Sequence, residues 1–170
     1  MERPTPVSVI GILNIVFGVY ALFGVCMTLA MQSFMDIEKN PVLKLMHDNP
    51  SYSAWVKITI PLGFIAGAIL IAAGIGLLRL AEWARRLSIG YAVYAILMAT
   101  AVSVTNYIFI LRPAFADGQN AGAVAAGIGA VFGGVFGLAY PIVLIVFMTR
   151  ANIVSAFRPP AAPPNLPIRY

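Results

Sequence analysis

The sequence predicts an all-α membrane protein: a four transmembrane helix bundle with antiparallel neighbours, a short interfacial helix in the first outer loop, and both termini cytoplasmic. Three observations predict it. Every Lys, Arg, Asp, Glu and His lies outside four uncharged windows, residues 4–35, 58–78, 87–111 and 118–149. Each window is long enough for a hydrocarbon core of roughly 30 Å, which takes about 20 apolar residues. Composition agrees, with 61% of residues hydrophobic and 10% charged, against about 25% charged in soluble domains. The third observation is the distribution of basic residues. With the termini inside, Arg3, Arg79, Arg85, Arg86, Arg150, Arg158 and Arg169 are cytoplasmic, while Lys39, Lys44, Lys57 and Arg112 are outside. Lys and Arg near span ends set orientation, so this excess favours that arrangement.

The elements follow in order. Span one covers about 7–31, after Pro4 and Pro6, with Thr5 or Ser8 placed to satisfy its first amides. Its apolar run exceeds the 7–15 residues or so of a signal-peptide core, which predicts a retained anchor. Cys26, the single cysteine, lies in this span and has no intramolecular disulfide partner. In the outer loop, Asn40-Pro41 reads as a cap followed by a proline at the first helical position. Val42, Leu45 and Met46 share a face, Lys44, His47 and Asp48 lie elsewhere, and Asn49-Pro50-Ser51 ends this helix of about two turns.

Span two covers about 54–80, with Tyr52 and Trp55 as interfacial anchors at its start and a kink expected at Pro61. A tight turn, residues 81–86, leads into span three, about 84–111, which is expected to close at Arg112-Pro113. After a brief loop, span four covers about 121–149 and contains Pro141. Residues 1–157 thus form one transmembrane domain. Residues 158–170, with five prolines between 159 and 167, read as an extended, disordered cytoplasmic tail. Its Pro164…Pro167 spacing also fits a proline-recognition ligand.

Two motifs bear on function. On span four, Ala121, Ala125, Gly129, Gly133 and Gly137 recur every four residues, beside a second row of Ala126, Ala130 and Gly134. Gly63 and Gly67 make a shorter version on span two. Lipid supplies no hydrophobic drive between helices, so association relies on close backbone approach, which small residues permit. Such rows either pack the chain's own helices or form an interface with a second copy or a partner membrane protein. The second motif is polar. Asn14 lies in span one, and span three carries Ser88, Tyr91, Tyr94, Thr100, Ser103, Thr105, Asn106 and Tyr107. These residues read as interhelical hydrogen-bonding groups or, for Asn14, Tyr91, Tyr94, Ser103 and Asn106, as the lining of a small polar cavity.

Other chemistry finds little support. No charged residue interrupts the windows, where such a residue would mark an ion path or a catalytic site. His47 is the single histidine, so no metal cluster is expected, nor a cofactor, nor a Ser/His pair for hydrolysis. The net charge of +5 is placed by topology and does not imply a nucleic-acid partner. Pro61 and Pro141 interrupt two spans, but their surroundings do not correspond as an inverted transporter repeat would require.

The turn Gly76-Leu77-Leu78-Arg79-Leu80-Ala81-Glu82-Trp83-Ala84-Arg85-Arg86-Leu87, with the opening Arg3-Pro4-Thr5-Pro6-Val7-Ser8-Val9-Ile10-Gly11, resembles a pattern in uncharacterised small bacterial inner-membrane proteins with four transmembrane helices. The resemblance implies a bacterial inner-membrane location and transfers no functional residue. Physically, Arg79, Arg85 and Arg86 would meet anionic headgroups while Trp83 sits in the interface. The expected function is non-enzymatic: a subunit, assembly factor or scaffold acting through helix contacts. Alternatives are a small oligomeric channel or transporter for a neutral or weakly polar solute, and a lipid-binding or envelope-stress sensor using the outer helix.

Overall fold

A computed structural model describes residues 5–37, 40–116 and 121–157. All regular structure among these residues is helical. Helix α1 runs Thr5–Phe34, α2 Pro41–Asp48, α3 Pro50–Leu78 and α4 Glu82–Asn106. A π-helical turn, Tyr107–Leu111, carries α4 into α5, Arg112–Ala116, and α6, Ala121–Thr149, precedes the short α7, Ala151–Ala156. The proline-rich tail lies outside the described residues.

Local chemistry explains the boundaries. The Asn40 side chain accepts from the amides of Val42 at 2.9 Å and Leu43 at 3.3 Å, with Pro41 in the first turn. Such a cap satisfies donors that a helix start leaves unpaired. Asn49 does the same for α3, accepting from Ser51 at 3.1 Å and Tyr52 at 3.2 Å. This second cap starts α3 at Pro50, four residues before the expected span, and α3 continues through Pro61. At its far end, the Ala81 amide donates to the Gly76 carbonyl at 2.9 Å and the Leu80 amide to Leu77 at 3.0 Å. Leu80 takes the left-handed position of this motif, φ 55°, which glycine usually fills. Glu82 then opens α4 and pairs with Arg86 one turn on, at 2.7 Å.

The helical course does not stop at Arg112-Pro113. Pro113 has no N–H for the Phe109 carbonyl and its ring crowds that oxygen. The chain absorbs this by widening the preceding turn, so that the Arg112 amide reaches back five residues to the Tyr107 carbonyl. The helix resumes as α5.

Packing divides the chain into two antiparallel pairs. In the first, α1 and α3 cross at reciprocal glycines. A Cβ on Gly74 would lie 2.6 Å from the Gly11 carbonyl oxygen, and one on Gly18 would lie 2.9 Å from that of Gly67. In the second pair, α4 approaches α6 where Gly134 faces Ser103, whose Oγ lies 2.8 Å from a Cβ built there. The pairs join at the end that holds the α3–α4 turn. There Val7, Ile10, Leu77, Ala84, Ala92, Leu144, Met148, Ile153 and Phe157 form one buried apolar cluster. The N-terminal end of α1, the turn and the C-terminal end of α6 therefore lie together. At the opposite end, Tyr52 stacks obliquely on Phe109 with centroids 5.6 Å apart.

Outward faces are apolar, with Val16 55%, Phe23 61% and Leu97 66% exposed, while Asn14 and Ser88 are fully buried. Water would penalise large contiguous apolar surface of this kind, whereas a bilayer accepts it. Three helices, Pro6–Phe34, Pro50–Leu78 and Glu82–Leu111, are long and apolar enough to cross a membrane. The architecture fits a transmembrane helical protein.

Candidate functional site

Three places in the fold gather residues with chemistry beyond apolar packing. The first is a polar node inside the bundle. Asn14 Nδ2 donates to Ser88 Oγ at 3.3 Å, and the Tyr140 hydroxyl donates to Asn14 Oδ1. One amide thereby ties α1, α4 and α6, with its donor and acceptor ends both engaged. Phe17, one turn along α1, packs a tilted ring against Tyr140 with centroids 4.4 Å apart. The node consists of an amide and two hydroxyls that join three helices.

The remaining expected polar residues lie elsewhere. Ser103 Oγ donates to the Ala99 carbonyl of its own helix at 2.8 Å, and Thr100 and Thr105 make the same bond at 2.9 Å to Ile96 and Ala101. Asn106 is the last residue of α4 before the π-helical turn. Tyr91 and Tyr94, with ring centroids 6.5 Å apart, border a groove between α3 and α4. Thus Asn14 meets Ser88 and Tyr140, while Tyr91, Tyr94, Ser103 and Asn106 are distributed along α4. Tyr140 was not singled out from the sequence, although it is the one tyrosine of residues 118–149.

The second place is the α3–α4 turn. Arg85 turns into the bundle, where Nη1 donates to the Met148 carbonyl at 3.3 Å. A cation there complements the C-terminal end of α6, whose last carbonyls lack helical partners. Trp83 and Arg86 face the other way, at the mouth of a groove of about 640 Å³ whose walls include Ile65, Ile69, Leu87 and Tyr94. Arg79 is exposed on the turn itself.

The third place is α6. Gly129 and Gly137 are exposed, and a Cβ on either would meet nothing within 4 Å. The surroundings of Ala121, Ala125 and Gly133 lie outside the described residues. On α3, by contrast, Gly63 and Gly67 face α1, with Val25 Cγ2 at 2.8 Å and Leu22 Cδ2 at 2.9 Å from their built Cβ positions. His47 and Asp48 pair at 3.3 Å on the exposed side of α2. Compared with known proteins, the chain matches no family model, no curated protein and no solved structure.

Proposed function

We propose that this chain is a four-span membrane protein in which α6 is the fourth span, and that it acts by helix–helix association as a subunit, assembly factor or scaffold. One observation carries the reading: Gly129 and Gly137, eight residues apart on α6, are both open. Gly11 and Gly18 of α1 are closed against α3, Gly63, Gly67 and Gly74 of α3 are closed against α1, and Gly134 is closed against Ser103. A Cβ on Gly129 or Gly137 would meet nothing within 4 Å among the described residues. Glycine weakens a helix interior by roughly 0.5–1 kcal/mol relative to alanine. Two open glycines in register on one helix are what close approach by another transmembrane helix would require.

The intrahelical bonds of Ser103, Thr100 and Thr105 support association over a polar path, since these hydroxyls are already satisfied. The excess of arginine at the turn and termini supports a cytoplasmic turn and termini, in a membrane of the bacterial inner type.

The test is native mass spectrometry of the protein in nanodiscs, beside a Gly129→Leu/Gly137→Leu double variant and a Gly24→Leu control. The expected result is a defined assembly that the double variant dissociates while keeping its helix content and thermal midpoint. A monomer in every sample, with no partner crosslinked from position 129, would refute the proposal.

A further inference from the structure

We propose that the α3–α4 groove is a binding site for one anionic phospholipid, with its phosphate at Arg86 and an acyl chain lying along the groove. The site is a consequence of the packing. At the turn the hairpin is closed, since a Cβ on Gly76 would lie 2.5 Å from that of Ala84. Beyond it, α3 is held by the glycines of α1 and α4 is held by α6 at Gly134. The two helices answer to different partners and part, leaving a wedge of about 640 Å³. That is within the range of roughly 300–1,000 Å³ typical of small-molecule sites.

Dimensions and charge select the occupant. From Trp83 to Tyr94 the groove follows α4 for about 16 Å at 1.5 Å per residue. This is close to one leaflet, half of a hydrocarbon core of roughly 30 Å. A partner helix would need complementarity across the whole membrane, whereas a lipid needs it across one leaflet. Trp83 marks the headgroup level, where indole rings concentrate. The turn carries Arg79, Arg85 and Arg86 against Glu82, so it favours an anion. Of the three, Arg86 alone lines the groove. One guanidinium nitrogen, Nη2, bonds Glu82 at 2.7 Å. A guanidinium has five donors in a planar fork that matches a phosphate, so this bond does not exhaust it.

The site rests on the bilayer-spanning reading and is independent of the subunit reading. It is tested with the full chain carrying Trp55→Phe, so that Trp83 is the single fluorescent tryptophan. The protein is reconstituted in phosphatidylcholine vesicles doped with acyl-brominated phosphatidylglycerol or, at equal mole fraction, acyl-brominated phosphatidylcholine. Brominated phosphatidylglycerol should quench Trp83 with about fivefold higher apparent affinity, as expected for one arginine acting on an anionic lipid. Arg86→Gln should bring the ratio to one, and Arg79→Gln should leave it unchanged. Gly90→Leu should reduce quenching by both lipids, because Gly90 borders the groove and a Cβ there meets nothing within 4 Å. Equal quenching in the parent, or equal loss of preference in Arg79→Gln and Arg86→Gln, would overturn the site. So would the absence of quenching by either lipid, which would mean that a protein helix covers the groove. Flotation with the vesicles, measured in parallel, separates these results from a failure of the bilayer reading, in which the chain would not float at all.

Discussion

At the scale of single residues, Asn14 decides most. It is fully buried, and a buried amide is stable only where its donors and its oxygen find partners. Asn14→Leu keeps the approximate volume but strands two hydroxyls. The Ser88 hydroxyl has an escape, since a helical serine can rotate to the carbonyl four residues back, as Ser103 does at 2.8 Å. The Tyr140 hydroxyl sits on a ring fixed against Phe17 and has no such freedom. Interhelical hydrogen bonds in membranes average about 0.6 kcal/mol and reach about 1.7 kcal/mol. Asn14→Leu should therefore cost about 1–2 kcal/mol, Tyr140→Phe about 0.6 kcal/mol, and Ser88→Ala less still. Unfolding of each variant in mixed micelles measures the order, and a double-mutant cycle isolates the Asn14–Tyr140 coupling. An Asn14→Leu protein as stable as the parent would remove the node from the account of the fold. The need for partners around Asn14 was readable from its place in an uncharged window. Their identity was not, because it depends on the relative rotation of three helices, which periodicity within one helix cannot supply.

At the scale of elements, the α1–α3 pair is an antiparallel contact of two glycine pairs, each spaced by seven residues: Gly11 and Gly18 on one helix, Gly67 and Gly74 on the other. A seven-residue repeat keeps one seam facing the partner over successive turns, the periodicity of left-handed coils. Gly74→Ala would drive a methyl to 2.6 Å from the Gly11 carbonyl and 2.7 Å from Ile15 Cγ1. Because the first neighbour is backbone, the helices themselves must separate, at a cost of about 1–3 kcal/mol. Gly24→Ala, where a Cβ meets nothing within 4 Å, should instead stabilise α1 by about 0.5–1 kcal/mol through helix propensity. Thermal midpoints of the two variants should move in opposite directions; a shared direction would mean that propensity or misfolding, and not approach distance, governs these positions. The sequence reading found the four-residue rows, including Gly63 and Gly67, but missed the seven-residue spacing of Gly11, Gly18 and Gly74. Both patterns are equally local in sequence, and only the facing helix reveals which glycines are used. Asn49 was read as the end of the short helix and not as the cap that starts α3 at Pro50, whereas the cap at Asn40 was legible because a cap acts within three residues. The π-helical turn was not, because a proline at the end of an apolar run reads equally well as a stop or as a defect the helix absorbs.

At the scale of the whole molecule, the question is how many times the chain crosses the membrane. Val7, Leu77, Ala84, Met148 and Phe157 share one buried cluster. The N-terminal end of α1, the α3–α4 turn and the C-terminal end of α6 are thus brought to one end of the molecule. With α1, α3 and α4 spanning, a spanning α6 of 29 residues puts both termini on the side of Arg79, and the α2 loop on the other side. On the proposed reading, the arginines at that end would place it in the cytoplasm. Single cysteines test the parity, in a Cys26→Ser background with Lys44→Cys, Arg79→Cys and Ala151→Cys placed one at a time. All three sites are exposed, so reactivity toward a membrane-impermeant maleimide reports sidedness and not burial. Position 44 should label in intact cells, and positions 79 and 151 only after the membrane is opened. If 44 and 79 reacted from the same side, α3 would not cross. If 79 and 151 reacted from opposite sides, α6 would not cross, the row of Gly129 and Gly137 would lose its bilayer setting, and the association proposal would fall with it.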